Sequence, residues 1–416
     1  SRMSVGEPTT TNADAGDPAA EAVVDLAGGE PATFLDAMLD VDHPRKAAAA
    51  DWARTHLRSR TASFDRARWR AAASAGVLGL RTPVELGGSG RSAVDSLLTF
   101  EGLGLGADDA GLVFALASQV FAMQTALVES GTPDQQRTWL PLLCSGDAIG
   151  CFAMTEPDTG SDTAAITTTA VPLAGGSFRI DGEKAWVTLG PVADVVIGFA
   201  ATDSTKGRWG ITAFLVPLDT PGVVVGEVET KSGLHSCPFG RIRFDGCGGG
   251  ADTVMGKPGA GSAIFTSAVE AERAFLYAAQ LGAMERSMAA AVHRARSREQ
   301  FGRPIGQFQA VSHRIADMKL RHEASRLLVY KAAALHDRGV SVTMAAALAK
   351  LQTAESAITS AVDAIRIHGA EGYTEAAGVE MDLRDAVGGL AYSGTSDIQR
   401  NIVARMLGVE RPVRRP

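Results

Sequence analysis

A chain of 416 residues that is 45% hydrophobic can bury a large core, and its length fits two or three domains. Its 40 basic and 47 acidic side chains leave a net charge of −7, which argues against nucleic acid or an anionic membrane as the main partner. No apolar run is read as a bilayer span, and the N-terminus lacks the basic and apolar order of a secretory signal, so a soluble cytoplasmic protein is expected. Cys144, Cys151, Cys237 and Cys247 show no C-x-x-C spacing, and the eight histidines form no H-E-x-x-H arrangement. Reduced thiols and no metal are expected.

Residues 1–30 are rich in Thr, Ala, Asp and Gly and read as a flexible leader. From Pro31 to Gly150 apolar residues recur at helical spacing, over Thr33–Leu39, Pro44–Leu57 and Ala110–Glu129. Turn signals separate them at Gly76, Thr82-Pro83, Gly87 to Gly90 and Gly131 to Asp134. Thr132 ahead of Pro133 is a cap with proline in the first turn, opening a helix through Leu143. Gly102-Leu-Gly-Leu-Gly-Ala107 matches the dinucleotide glycine pattern, but it follows a helix-like run rather than a strand and is read as coincidence.

From Cys151 to Lys257 short β-prone runs alternate with glycine turns: Thr167–Val171, Phe178–Ile180, Lys184–Thr188, Val195–Ala200, Gly210–Val216, Gly222–Val228 and Arg241–Phe244. This spacing reads as a small β-barrel or sandwich. Beyond Gly261 long helices return over Ala263–Arg296, Gln307–Asp337, Ser341–His368 and Thr395–Leu407, with Gly339 as a stop and Ser341 as a cap. Their alanine-rich faces suit a bundle. The expected fold is mostly α with a central β domain: a helical domain over 31–150, a β domain over 151–260 and a helical bundle over 261–416. That order excludes doubly wound α/β architectures.

Two stretches near the C-terminus carry most of the functional information. Arg298-Glu-Gln-Phe-Gly-Arg-Pro-Ile-Gly-Gln-Phe-Gln309 and Ser393-Gly-Thr-Ser-Asp-Ile-Gln-Arg400 each place a turn directly before a helix, where N–H groups without intrahelical partners attract anions. Each also carries an arginine suited to a diphosphate. Two such sites without a Walker loop or a well-placed Rossmann pattern point to a large cofactor held outside a Rossmann fold. Cys151-Phe-Ala-Met-Thr-Glu-Pro-Asp-Thr-Gly-Ser-Asp162 consists largely of loop formers and alone reads as a linker, and Lys184-Ala-Trp-Val-Thr188 alone reads as an amphipathic strand.

Together, and in this order, the four stretches resemble the acyl-CoA dehydrogenase family of flavoenzymes. That family's patterns approximate T-E-P-x-x-G-S-D, W-[IV]-[TS], R-x-x-F-G-x-x-[IL]-x-x-[FH]-Q and G-T-[SN]-x-[IV]-x-R. The resemblance covers nearly all residues from 35 to 410. It implies a helical amino domain, a small β-barrel and a carboxy-terminal four-helix bundle, with FAD at their junction. By the same resemblance Phe152, Met154, Thr155, Gly160 and Ser161 border the flavin ring and diphosphate, with Ser161 also reaching the substrate. Trp186, Val187 and Thr188 pack beside the isoalloxazine. Arg298, Gln300, Phe301, Phe308 and Gln309 are expected to bind the adenosine diphosphate half of a neighbouring subunit's FAD. Arg366, Ile367, His368 and Gly369, with Thr395, Ser396 and Asp397, would complete that pocket. The resemblance further implies a homotetramer, an acyl thioester on CoA or a carrier protein as substrate, and an electron-transferring flavoprotein as electron acceptor.

One departure matters. Many members of the family carry the base, a glutamate, immediately before G-T-S, where this chain has Ser393. Isovaleryl- and long-chain-type members hold it instead beside an arginine on an earlier helix, and that likeness assigns the role to Glu272, next to Arg273. Glu270 is the rival carboxylate, but two residues along a helix turn by about 200°, so only one of them can face the flavin. Glu270 is expected at the entrance, and Arg273, Ser393 and Gly394 beside the substrate. The same arrangement resembles the acyl-carrier-protein dehydrogenases of polyketide and nonribosomal peptide pathways. A lone carboxylate between flavin and acyl chain is desolvated, which raises its pKa toward a useful base. The expected activity is FAD-dependent α,β-dehydrogenation of an acyl thioester. A flavin oxidase or monooxygenase of the same fold, or a catalytically silent flavin- or acyl-binding subunit, is the alternative.

Overall fold

The computed structural model describes residues 24–40 and 42–409, so most of the expected leader lies outside the described residues. The first part is helical: α1 (Phe34–Leu39), α2 (Pro44–His56), α3 (Arg66–Ser74), α4 (Ala93–Gly106), α5 (Ala110–Ser118), a π-helical stretch over Gln119–Gln124, α6 (Thr125–Ser130) and α7 (Pro133–Ser145). The Thr132 hydroxyl accepts from the Gln135 N–H, and the Thr132 N–H donates to Gln135 Oε1, a capping box that starts α7. The π stretch is held by side chains. Gln119 donates to the Leu143 carbonyl at 3.1 Å and accepts from the Gly150 N–H at 2.8 Å, and Gln124 donates to the Leu78 carbonyl at 2.9 Å. Contrary to expectation, Ala110–Ser130 is long and apolar enough to cross a membrane, but most of it is buried inside the protein.

The glycine pattern on α4 has a packing cause. A Cβ on Gly102 or Gly106 would strike the Lys46 or Ala50 carbonyl of α2, and one on Gly104 would strike the Ala279 carbonyl on α9 (Tyr277–Ser297). Gly282 of α9 lies equally close to the Glu101 carbonyl. Three helix backbones therefore touch where side chains would normally stand.

The central part forms one eight-stranded sheet from β1 (Gly150–Ala153), β2 (Thr169–Pro172), β3 (Phe178–Thr188), β4 (Val195–Ala201), β5 (Ile211–Pro217), β6 (Val223–Val225), β7 (Phe239–Gly249) and β8 (Val254–Met255). Its order is β6-β7-β3-β2-β4-β5-β8, with β1 running parallel beside β4. The expected barrel is not closed. Its two edge strands are only three and two residues long, and no pairing joins β6 to β8 among the described residues. Phe178–Ile180 and Lys184–Thr188 merge into β3, whose register slips between Lys184 and Val187. Trp186, inside that slip, has φ +52°.

The last part contains α8 (Gly261–Phe275), α9, a short hairpin of β9 (Glu299–Gln300) and β10 (Arg303–Pro304), α10 (Gln309–Asp337), α11 (Thr343–His368), α12 (Val379–Val387) and α13 (Ser396–Met406). The run expected as one helix over Ala263–Arg296 is interrupted at Leu276, and α12 was not expected. Ser341 does not cap α11. The cap position is Val342, and the Ser341 hydroxyl lies 3.3 Å from that of Thr343 instead.

A buried charge network ties α2, α4, α9 and α10 together. Lys46 Nζ lies 3.2 Å from Glu101 and 2.6 Å from Glu285, while Arg326 Nε lies 2.7 Å from Glu101. Burial opposes the Glu101 charge, but Arg326 and Lys46 hold its carboxyl below the usual range. Glu101, Glu285 and His322 sit close enough to hold a cation, and Lys46 and Arg326 already supply positive charge there.

Candidate active site

A cavity of about 770 Å³ opens where the sheet meets α5, α8 and the loop entering α13. One wall is the segment after β1. Glu156 is buried there and accepts from the N–H groups of Thr167 (2.6 Å) and Thr168 (2.9 Å) and from Lys184 Nζ (2.9 Å). Lys184, fully buried on β3, also donates to the Met154 carbonyl at 3.2 Å. Burial opposes the Glu156 charge, yet Lys184 and the other donors outweigh it and hold the carboxyl at about 2. Burial pulls the Lys184 ammonium down to about 8, with Glu156 resisting, so both groups stay mainly charged at neutral pH. Sequence reasoning missed this pair, which pins the loop carrying Thr155, Gly160 and Ser161 to β3.

Trp186 turns toward the cavity, 45% exposed, because the register slip gives it a left-handed backbone. Thr188 stands beside it on the wall, whereas Val187 is buried behind and does not line the space. Phe152 and Met154 also face the cavity, with Phe152 stacked 5.9 Å from Phe265 of α8.

Glu272, near the end of α8, also lines the cavity. The Ser393 hydroxyl donates to Glu272 Oε1 at 3.0 Å. Burial raises the Glu272 carboxyl to about 7, against smaller opposing effects of the Ser393 hydrogen bond and the Arg273 charge. What surface Glu272 retains opens on the cavity. Arg273 Nε donates to the Ser393 carbonyl at 3.3 Å, and Arg273, Gly394 and Thr395 also line the space. Thr395 caps α13 by accepting from the Ile398 N–H. Tyr392 packs on Phe114 of α5 with ring centroids 4.7 Å apart, which walls the region beside Glu272 with aromatic surface.

Glu270 is not on this wall. It accepts a hydrogen bond from Thr343 at the start of α11 at 2.5 Å, because two helical steps turn it away from Glu272. Ser396 and Asp397 also lie off the wall, Ser396 buried in the first turn of α13. Arg298, Gln300, Phe301, Phe308 and Gln309 stand apart, on the β9–β10 hairpin and the start of α10. Phe301 is 92% exposed, and Phe308 stacks under Arg303 at 4.1 Å. Arg366, Ile367, His368 and Gly369 end α11 at the same end of the bundle. Ile367 shares a core with Ile305, Arg366 pairs with Asp363 at 3.2 Å, and His368 Nδ1 lies 2.8 Å from the Ala364 carbonyl. Within one chain the expected residues thus fall into two groups, one at the cavity and one at the exposed bundle end.

The volume takes a tricyclic ring with an acyl group beside it. The wall offers groups that suit an isoalloxazine, a flat aromatic side chain in Trp186 and hydroxyls at Thr155, Ser161 and Thr188, and the Glu272 carboxyl lines the same space. Family models for the N-terminal, middle and C-terminal domains of acyl-CoA dehydrogenases match residues 41–147, 151–247 and 259–408. An L-prolyl-[peptidyl-carrier protein] dehydrogenase of Pseudomonas fluorescens is 43% identical over 344 residues, 83% of this chain and 90% of that protein. Among solved structures, the prolyl acyl carrier protein oxidase AnaB superposes with a TM-score of 0.86 at 36% identity, covering 87% of this chain and 97% of its own. PigA with FAD and proline gives 0.86 at 35% identity, covering 90% and 98%.

Proposed function

This chain belongs to the acyl-CoA dehydrogenase family of FAD oxidoreductases, and we propose that it introduces an α,β double bond into an acyl thioester with Glu272 as the base. The observation that carries this reading is a half-buried carboxylate, raised to about 7, that lines the same cavity as Trp186 and Thr188. Such a group is ionised often enough near neutrality to take a proton and basic enough to do so usefully. Glu272 removes the α-proton, and the electron pair of that C–H bond becomes the new π bond as the β-hydrogen leaves with its own pair. FAD supplies the acceptor for that hydride. Ser393 orients the carboxylate through its hydroxyl, and its backbone N–H is positioned to meet the thioester oxygen as negative charge develops. Phe114 and Tyr392 exclude water beside the base.

The proposed acyl group is compact, and a prolyl thioester on a carrier protein is the first candidate. It is supported by the 43% identity to a prolyl-carrier dehydrogenase and by the aromatic wall next to Glu272. The exposed hairpin residues, Arg298 to Gln309, would reach FAD in a neighbouring subunit, which makes an oligomer part of the proposal. An electron-transferring flavoprotein is the proposed electron acceptor. The relative AnaB is called an oxidase, and rapid reoxidation in air with release of peroxide would favour that version of the chemistry.

Anaerobic titration of the FAD-loaded protein with acyl-CoA and acyl-carrier thioesters, prolyl-carrier first, tests the reading through loss of flavin absorbance. The Glu272→Gln variant should keep FAD and bleach at least about a hundredfold more slowly. Bleaching at the wild-type rate would remove Glu272 from the mechanism.

A further inference from the structure

Ser393 and Gly394 lie consecutively in the left-handed region, at φ +55° and +85°. A serine there is strained by roughly 1 kcal/mol or more, and such backbone persists only where its surroundings over-determine it. Two side chains do so. Gln399, fully buried on α13, donates from Nε2 to the carbonyls of Ser393 (3.4 Å) and Gly394 (3.0 Å), and Arg273 adds its bond to the Ser393 carbonyl. A Cβ on Gly394 would lie 2.8 Å from Gln399 Nε2, so glycine is needed for the approach of that amide as well as for the backbone angle.

A peptide plane turns as a unit. Holding both carbonyls therefore fixes the Gly394 and Thr395 N–H directions and, through the φ of Ser393, sets that residue's N–H and hydroxyl. Among the described residues the N–H groups of Ser393 and Gly394 have no backbone acceptor, which leaves them free for a ligand in the cavity they line.

The two carbonyls also set the orientation of the Gln399 amide. Because Nε2 serves two carbonyls, Oε1 faces away from the loop, and it is buried without a donor. The buried face of α13, made by Ser396 and Gln399, packs against α11. On α11, Lys350 is fully buried, and its Nζ has no acceptor. Neither atom is hydrogen-bonded to the other, so the Gln399 amide takes its orientation from the two carbonyls it serves.

We propose that Gln399 is the positioning residue of the catalytic loop, holding Ser393 and Gly394 so that their N–H groups and the Ser393 hydroxyl meet substrate and base. This rests on Glu272 being the base. Gln399→Met keeps the volume and removes the donors. In the FAD-loaded protein its 388–399 segment should exchange backbone hydrogens for deuterium at least about tenfold faster than wild type, a readout that needs no substrate. With L-prolyl carrier-protein thioester, kcat for flavin reduction should fall about 10²-fold while KM changes little, because the lost interaction matters most as charge develops. Unchanged exchange in Gln399→Met, or a loss confined to KM or to FAD content, overturns the proposal. Wild-type bleaching by Glu272→Gln with normal loop exchange would sink the base assignment instead, so the two failures are distinguishable.

Discussion

Replacing Ser393 by alanine removes the hydroxyl that donates to Glu272 at 3.0 Å and leaves the backbone N–H in place. A hydrogen bond to a charged group is worth about 1.5–3 kcal/mol, and its weaker end corresponds to roughly one pKa unit. The hydroxyl favours the ionised carboxyl, so its loss raises the Glu272 pKa further above its present value of about 7. At pH 7 the ionised fraction should drop from about a half to about a tenth, a roughly fivefold loss in the rate of flavin reduction that recovers near pH 9. Single-turnover flavin reduction between pH 5.5 and 9.5 provides the assay. The acid limb should move to higher pH with an unchanged plateau. A limb that stays in place, or shifts toward acid, would show that Ser393 does not tune the proton acceptor.

Glu272 should also make a stability signature without substrate. Its carboxyl titrates near 4.5 unfolded and about 7 folded, so its stabilising contribution is full below the first value and lost as pH rises through the second. Glu272→Gln should therefore be more stable than wild type at pH 8 by about 3 kcal/mol, unfolding at a higher temperature, and match it near pH 4.5. Lys184→Met strands Glu156 as a buried unpaired carboxylate, which should cost about 3–5 kcal/mol and lower FAD occupancy in the purified protein. Thermal melting and flavin-to-protein ratio measure both effects, and a variant with full occupancy and a normal melting temperature would refute the anchoring role. Gly104→Ala drives a methyl into the Ala279 carbonyl and should destabilise by about 2–4 kcal/mol in a denaturant titration.

The order of helical, β and helical texture was legible because periodicity is local, and so was the start of α7, where Thr132, Pro133 and Gln135 are adjacent in sequence. The rotation separating Glu270 from Glu272 follows from helix geometry alone. Sheet closure was not legible, because it depends on whether the first and last strands meet, and these edges are too short to meet. The left-handed Trp186 comes from a register slip between β3 and β7, a relation between distant strands that no local pattern encodes. Lys184 and Glu156 are 28 residues apart, and each looks like an ordinary surface charge until the fold buries both. The separation of Arg298 to Gln309 from the cavity was anticipated only through the resemblance, which assigns those residues to a neighbouring subunit's FAD, since motif order by itself does not reveal distance.

The bare backbone contacts among α2, α4 and α9 have a bearing on how new specificities could arise here. Where main chains abut with nothing between them, there is no pliable filler through which a disturbance can be absorbed. The helix pair α8–α9, and with it Glu272, is thereby keyed to α4 as a rigid strut. Phe114, Ser118 and Ala122, on the neighbouring turns of α5 and the π stretch, remain as replaceable lining. Enlarging or shrinking those three should alter the room in the cavity while leaving the Glu272 carboxylate where it stands.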